Sequence, residues 1–370
     1  MILRILGSLL TLLVLVIGCQ RKAEPPPSSK SETPTTSVQQ PLMQPAGSML
    51  YPVQDSLGHH GFMDSLGQKI VASQFESADF MWDGMSRVRL NGQWGYVDNM
   101  GRMVIQPQFE KARRFSEGMA AVRVKGKYGY VDRGGNMIVP PQYSKLAQAF
   151  SDGLAAVPDS AKKFGFIDKT GKLVIPHKFD NVHPFAEGMA AASIGDKWGF
   201  IDNQGNWAIE PKFVWADKFV NGQSVVRIGL QPNVDYAMVN RKGDVVFRAQ
   251  VTYLKTPSDG LTRFALNDKT GFMDYTGKIV IPATFDAAFD FSEGLAAVRV
   301  GNGWGYIDTA GKLLINVEHN FGDAFTHGIA RVAWPNGNWG YINRMGEKLW
   351  ESNLRGGTSI PAGGADGDDE

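Results

Sequence analysis

The sequence predicts an all-β protein made of nine tandem antiparallel β-meander repeats of about 34 residues, a period that signals a solenoid, a propeller or a similar array. Three recurrences carry the prediction. A Gly, preceded in most copies by Trp, Tyr or Phe, falls at Gly61, Gly95, Gly129, Gly165, Gly199, Gly271, Gly305 and Gly340, with Ala237 standing in once. Three residues later comes Asp or Asn, and three beyond that a Gly, from Asp64/Gly67 through Asp202/Gly205 to Asn343/Gly346. A polar-Gly pair marks the other end of the unit, from Asp83-Gly84 through Glu187-Gly188 to His327-Gly328.

In chain order, a repeat opens with an apolar strand such as Leu295-Ala296-Ala297-Val298-Arg299-Val300. A short polar turn leads into a second strand, Trp304-Gly305-Tyr306-Ile307-Asp308. The Asp-x-x-Gly that follows is a β-turn, because the carboxylate can accept backbone amides and the Gly tolerates positive φ. It feeds a third strand, such as residues 173–175. Pro107, Pro141, Pro176, Pro211 or Pro282 is expected to end that strand, since proline donates nothing to a ladder. A short fourth strand is expected around the Phe-Asp segment that comes next. One ring follows the proline (Phe109, Phe179, Phe213) and another sits three residues before the Gly of the polar-Gly pair (Phe115, Phe185, Phe219). Recurring once per repeat, these rings are expected as stacked core rather than a carbohydrate platform. The Gly after each Trp is expected to admit a neighbouring backbone or ring.

Trp-Gly-(Tyr/Phe)-Ile-Asp-x-x-Gly, followed by Ile-x-Pro, an aromatic and Ser-Glu-Gly-Leu/Met-Ala, resembles the bacterial WG (KWG) repeat family over residues 49–354. The resemblance implies the repeat type and no particular ligand. Copy six departs most, with Tyr236-Ala237 in place of Trp-Gly and Gln231-Pro232-Asn233 in a longer loop. Propellers usually have about four to eight blades. Copy one begins with its own first strand at residues 50–54 and copy nine ends with its third at 348–351, so no permuted strand would clasp a ring. The expectation is an open superhelical array rather than a closed β-propeller.

The first 18 residues read as an export signal. Arg4 precedes a short apolar core, and Val16-Ile17-Gly18-Cys19 resembles the bacterial lipobox. By that resemblance Cys19 would carry three acyl chains, enough for stable anchoring. An ordinary secretory signal or an uncleaved anchor helix is the alternative. Structural cysteines of exported proteins normally come in pairs, and this chain has one. Gln20 in place of Asp points to the outer membrane, where the cell has one. Residues 19–48 hold the lipidated Cys and a disordered tether rich in Pro, Ser, Thr and Gln. Residues 355–370 form a disordered tail ending in Asp366, Asp368, Asp369 and Glu370.

Net charge is +1, with no basic stripe to neutralise phosphates, which excludes nucleic acid as the expected partner. A catalytic set needs unlike residues brought together, whereas this chain mostly repeats like ones. The six histidines include His59-His60 and a looser pair, His177 and His183, read as solvated loop residues. None has the company a zinc site requires, and each Asp-x-x-Gly offers one carboxylate where a calcium loop needs several. No cofactor or metal is expected. The expected function is a non-catalytic envelope lipoprotein that presents a binding or scaffold surface to a protein or envelope polymer. The alternatives are an enzyme or enzyme subunit with its site at a deviant copy, and a structural envelope spacer. Lipidation at Cys19 gives a direct test: Cys19→Ser should block lipid labelling and maturation, because the chain has no other thiol. Unchanged labelling and membrane retention in that variant would overturn the anchor.

Overall fold

Short meanders must bury at least one sheet face against something, and the packing between repeats shows what. The computed structural model describes residues 49–144, 148–229 and 235–352. The signal peptide, Cys19, the tether and the acidic tail lie outside the described residues, as does most of loop 229–234. Among the described residues nine antiparallel sheets, here blades 1 to 9, follow one another, seven of four strands and two of three. In blade 2 the strands are Ser77–Ala78, Met85–Leu90, Gln93–Asp98 and Met103–Phe109, paired in that order. The expected short strand is present, and it opens the sheet of the following repeat. Among the described residues there is no helix, so none is long and apolar enough to cross a membrane.

The turns explain the recurring residues. In the polar-Gly pair Asp83 has φ 51° and Gly84 φ 75°, while Trp82 and Met85 exchange backbone hydrogen bonds of 2.8 and 3.0 Å. That is a two-residue hairpin turn of the type that matches strand twist. In the Asp-x-x-Gly turn, Asp202 Oδ1 accepts from the amides of Gln204 at 3.0 Å and Asn206 at 2.9 Å. Gly205 there has φ 80°, and a Cβ on it would lie 2.6 Å from Ile175 Cγ2 of the preceding blade. This turn therefore also packs one blade on the next.

The aromatic-Gly pair answers to a bulge. Trp94 pairs Phe109 but Tyr96 pairs Ile105, so Met103–Phe109 carries two extra residues opposite Gly95. The bulge brings Ile105 O to within 2.4 Å of where a Gly95 Cβ would stand. It also corrects the expectation that Pro107 ends the strand. Pro107 sits in the bulge, where its missing N–H costs no ladder bond, and the strand runs on to Phe109. Blade 6 lacks this two-residue bulge: Tyr236, Ala237 and Met238 pair Ala249, Arg248 and Phe247 in simple register. Ala237 is tolerated for that reason.

The core lies between blades. Tyr96 meets Phe115 edge-on at 4.7 Å, Phe200 meets Phe219 at 4.7 Å and Tyr306 meets Phe325 at 4.9 Å. In each pair the first ring belongs to one blade and the second to the next. The hydroxyls of Tyr96 and Tyr306 donate onward to the carbonyls of Arg113 and Asp323, at 2.6 and 2.9 Å. The rings expected as core are core.

The expectation of an open array is corrected by blades 1 and 9, which pack together and close the array into a propeller-like ring. Tyr51, Val53 and Met63 share a buried cluster with Ile329, Trp339 and Tyr341. Tyr341 OH donates to Pro52 O and Tyr51 OH to His327 O, both at 2.8 Å. Among the described residues no strand is exchanged: side-chain packing and these side-chain-to-backbone bonds close the ring. An open array needs polar faces on its terminal repeats, and here both terminal faces are apolar, so each covers the other. Tyr341→Ala should therefore cost about 3–5 kcal/mol, the range for deleting a buried aromatic. It should also speed amide exchange in Tyr51–Gln54 while leaving blade 5 unchanged. Unaltered exchange in that strand would mean that the ends do not meet.

Candidate functional site

Most ionisable groups in the blades are occupied with the fold. Side chains of Asn136, Thr170 and Thr276 donate to Asp132, Asp168 and Asp274 and hold these carboxyls below the ordinary range, which makes them weak proton acceptors. The acids of the polar-Gly turns form a belt. Asp83, Glu117, Asp152 and Glu187 accept from the amides of Gly118, Gly153, Gly188 and Gly222 in the following blade, at 2.6 to 3.0 Å. The belt resumes where Asp259 and Glu293 accept from Gly294 and Gly328. At Asn221 an amide replaces the acid, and Asn221 Nδ2 turns instead to the Tyr275 hydroxyl at 2.5 Å. Among the described residues no group of three or more His, Cys, Asp or Glu is placed to hold a metal ion.

The histidine pair differs from its expected place. His177 lies within the strand Leu173–Phe179, and His183 is wedged between Trp198 at 5.1 Å and Trp215 at 6.1 Å between ring centroids. His177 is therefore strand rather than loop, whereas His183 does lie between strands but is packed rather than solvated. Burial lowers the His183 pKa, with Asp217 opposing the shift.

Clefts open between blades among the described residues. At the seam, Phe80 and Trp82 face Thr326, Ile329 and Arg331, and Arg331 is ion-paired within the fold, 3.0 Å from Asp323. Another lies beside the copy the sequence marks as deviant. Trp215, Arg227 and Tyr236 stand directly opposite one another across three strands of blade 6, which puts them on one face. With Tyr253, Leu254 and Lys255 of blade 7 they line a cleft of about 180 Å³. Tyr236 pairs Ala249, whereas the equivalent positions opposite Trp94, Trp198 and Thr270 are Phe109, Phe213 and Phe285. With Ala249 in place of that ring, Trp215, Arg227 and Tyr236 are each partly exposed. Lys255 Nζ and the Arg263 guanidinium each lie 5.7 Å from the Tyr253 ring.

The sequence marked copy six as deviant, but neither Trp215 nor Tyr253 was singled out, since each sits in a two-residue strand too short to show a period. Cys19, the one site residue expected from sequence, lies outside the described residues.

The family model described as "WG containing repeat" matches residues 61–94, 94–128, 128–157, 164–198, 198–229, 271–304 and 304–333, well over half of the chain. Its matches skip the stretch that carries Tyr236, Tyr253 and Lys255. No curated protein sequence matches significantly. Similar solved structures include BamB from Moraxella catarrhalis, at 12% identity and TM-score 0.43 over 70% of this chain and 91% of that one. Hsv2p from Kluyveromyces lactis is 11% identical, with TM-score 0.39 over 63% and 92%. PorZ, an essential surface component of the type-IX secretion system of Porphyromonas gingivalis, is 10% identical, with TM-score 0.36 over 74% and 44%. Likenesses this distant carry no argument about function.

Buried imidazoles give the fold a pH dependence. Burial lowers the pKa of His60, His183 and His319 from 6.5. A pKa lowered on folding contributes stability that is present above 6.5 and is lost as pH falls through the folded-state value. The melting temperature should drop between pH 7.5 and about 5, before the carboxylates titrate, and His183→Gln should make that drop shallower. An identical pH profile in the variant would show that His183 is not held neutral.

Proposed function

The chain belongs to the WG-repeat family, and on that premise we propose that it is a non-catalytic cell-envelope lipoprotein, anchored through Cys19, whose ring presents a binding surface to a macromolecular partner. The observation that carries this reading is the division of labour among its residues. Acids that recur from copy to copy are bonded within turns or between blades, as at Asp202 and Glu187. The residues that face outward in a distinctive combination belong to one divergent copy, at Trp215, Arg227 and Tyr236. Tryptophan, tyrosine and arginine are the types that dominate binding energy at protein interfaces. In the outer membrane, a tether would hold such a ring off the lipid surface.

Cross-linking in native envelopes tests the reading. The full-length protein should give a reproducible cross-linked product. Replacing residues 229–234 by a Gly-Ser loop of equal length should remove that product and shift the melting temperature by no more than a few degrees. Single Asp, Glu or His substitutions by Ala should give graded losses. A single substitution that abolishes cellular activity at an unchanged melting temperature would replace the scaffold with an enzyme, since removing a catalytic group costs orders of magnitude.

A further inference from the structure

Backbone pairing allows the blades to be compared position by position. The amides of Glu76, Glu110, Val214 and Asp286 donate to the carbonyls of Arg89, Arg123, Arg227 and Arg299 in their respective blades. These four pairs are structurally equivalent. In three of them an acid faces the arginine. Arg89 Nε lies 3.5 Å from Glu76 and Arg123 Nε 3.6 Å from Glu110, while Asp286 is bonded to Lys269 at 2.5 Å and held ionised chiefly by it, with the Arg299 charge a lesser contribution. The same acids accept from the hairpin glycine amides, Gly92 and Gly126 at 3.1 Å and Gly301 at 2.6 Å.

Blade 6 keeps the arginine and has lost the rest. Val214 occupies the acid position and the glycine hairpin has become the longer loop. Arg227 Nε has no hydrogen-bond partner among the described residues, as is also true of Arg123 Nε and Arg299 Nε, so what sets Arg227 apart is that no acid stands at position 214 and that its side chain lines the cleft with Trp215, Tyr236, Tyr253 and Lys255. A half-buried guanidinium with no carboxylate facing it gains from a negative charge that arrives from outside.

We propose that this cleft receives an Asp or Glu side chain from an acidic peptide segment of a protein partner, its carboxylate seated where Glu76, Glu110 and Asp286 sit in their own blades. The inference rests on the binding reading above and adds the class of ligand. The other blades supply the template: a carboxylate on a short aliphatic stem projecting from an extended backbone. Arginine suits it through its planar fork of donors, Lys255 adds a second positive charge, and the aromatic rings flank the ion pair and exclude water.

Fluorescence anisotropy with labelled poly-L-glutamate as probe, at about 0.15 M salt to suppress unspecific attraction, tests it on the full chain. Val214→Glu should rebuild the internal pair and occupy the site. It should melt at or above the wild-type temperature and yet weaken binding by about tenfold or more. Arg227→Gln should weaken binding comparably, and Arg89→Gln, which alters an arginine that has its own acid in Glu76, should leave it within about twofold. Undiminished binding by Val214→Glu and Arg227→Gln overturns the site. Preference for polygalacturonate over poly-L-glutamate overturns the peptide assignment in favour of an acidic glycan. No binding of poly-L-glutamate by the wild type, with the envelope cross-link still lost on loop replacement, overturns the ligand class and leaves the binding surface standing.

Discussion

The ring that follows each aromatic-Gly pair has to be covered by the next sheet, and the rest of the architecture depends on that contact. Tyr96, Phe200 and Tyr306 are fully buried, each against a ring contributed by the following blade. Burying such a side chain is worth about 2–3 kcal/mol, the edge-on contact adds about 1 kcal/mol, and the hydrogen bond from a tyrosine hydroxyl adds about 1 kcal/mol more. Apolar burial is therefore the largest part. The hydroxyl serves register, since Tyr96 OH can meet Arg113 O only when the two blades sit at one height. Phenylalanine at position 200 gives up the bond and keeps the burial.

What the sequence revealed divides along the same line. The period, the Asp-x-x-Gly turns, the short fourth strand and the once-per-repeat rings are local patterns, and local patterns show in a string of residues. Pro107 was readable as incompatible with a ladder, but the bulge that accommodates it depends on the partner strand. Closure was not readable at all. It is decided by the small rotation each blade makes on its neighbour, summed over nine sheets. No single residue encodes that rotation. The apolar character of both ends was visible in Tyr51 and Tyr341, but each could as well have faced another repeat.

The candidate cleft lies between these cases. Val214 follows Phe213 just as Glu76 follows Phe75 and Glu110 follows Phe109, so the missing acid is written in the sequence. Its meaning needs the register, because only the pairing across Trp215, Arg227 and Tyr236 shows that the lost acid left an arginine behind. The histidines show the converse error. Read as loop residues from their polar surroundings, His177 and His183 prove to be parts of strand and interblade packing.

A repeat array can carry one irregular member because stability is shared between neighbours. Blade 6 gives up the bulge, the glycine, an outer aromatic and one bond of the acid belt, yet its inner strands remain buried through Val225, Val226 and Met238. Blades 5 and 7 supply the faces that cover it. Closure strengthens the effect, since in a ring every blade has two neighbours and none frays from an end. In an open array the same losses would concentrate at the nearest terminus, and a lone sheet of this size could not absorb them. The ring thus explains why divergence is tolerated at an internal blade, and why Arg227 can be kept there without the acid that faces Arg89 and Arg123 in their own blades.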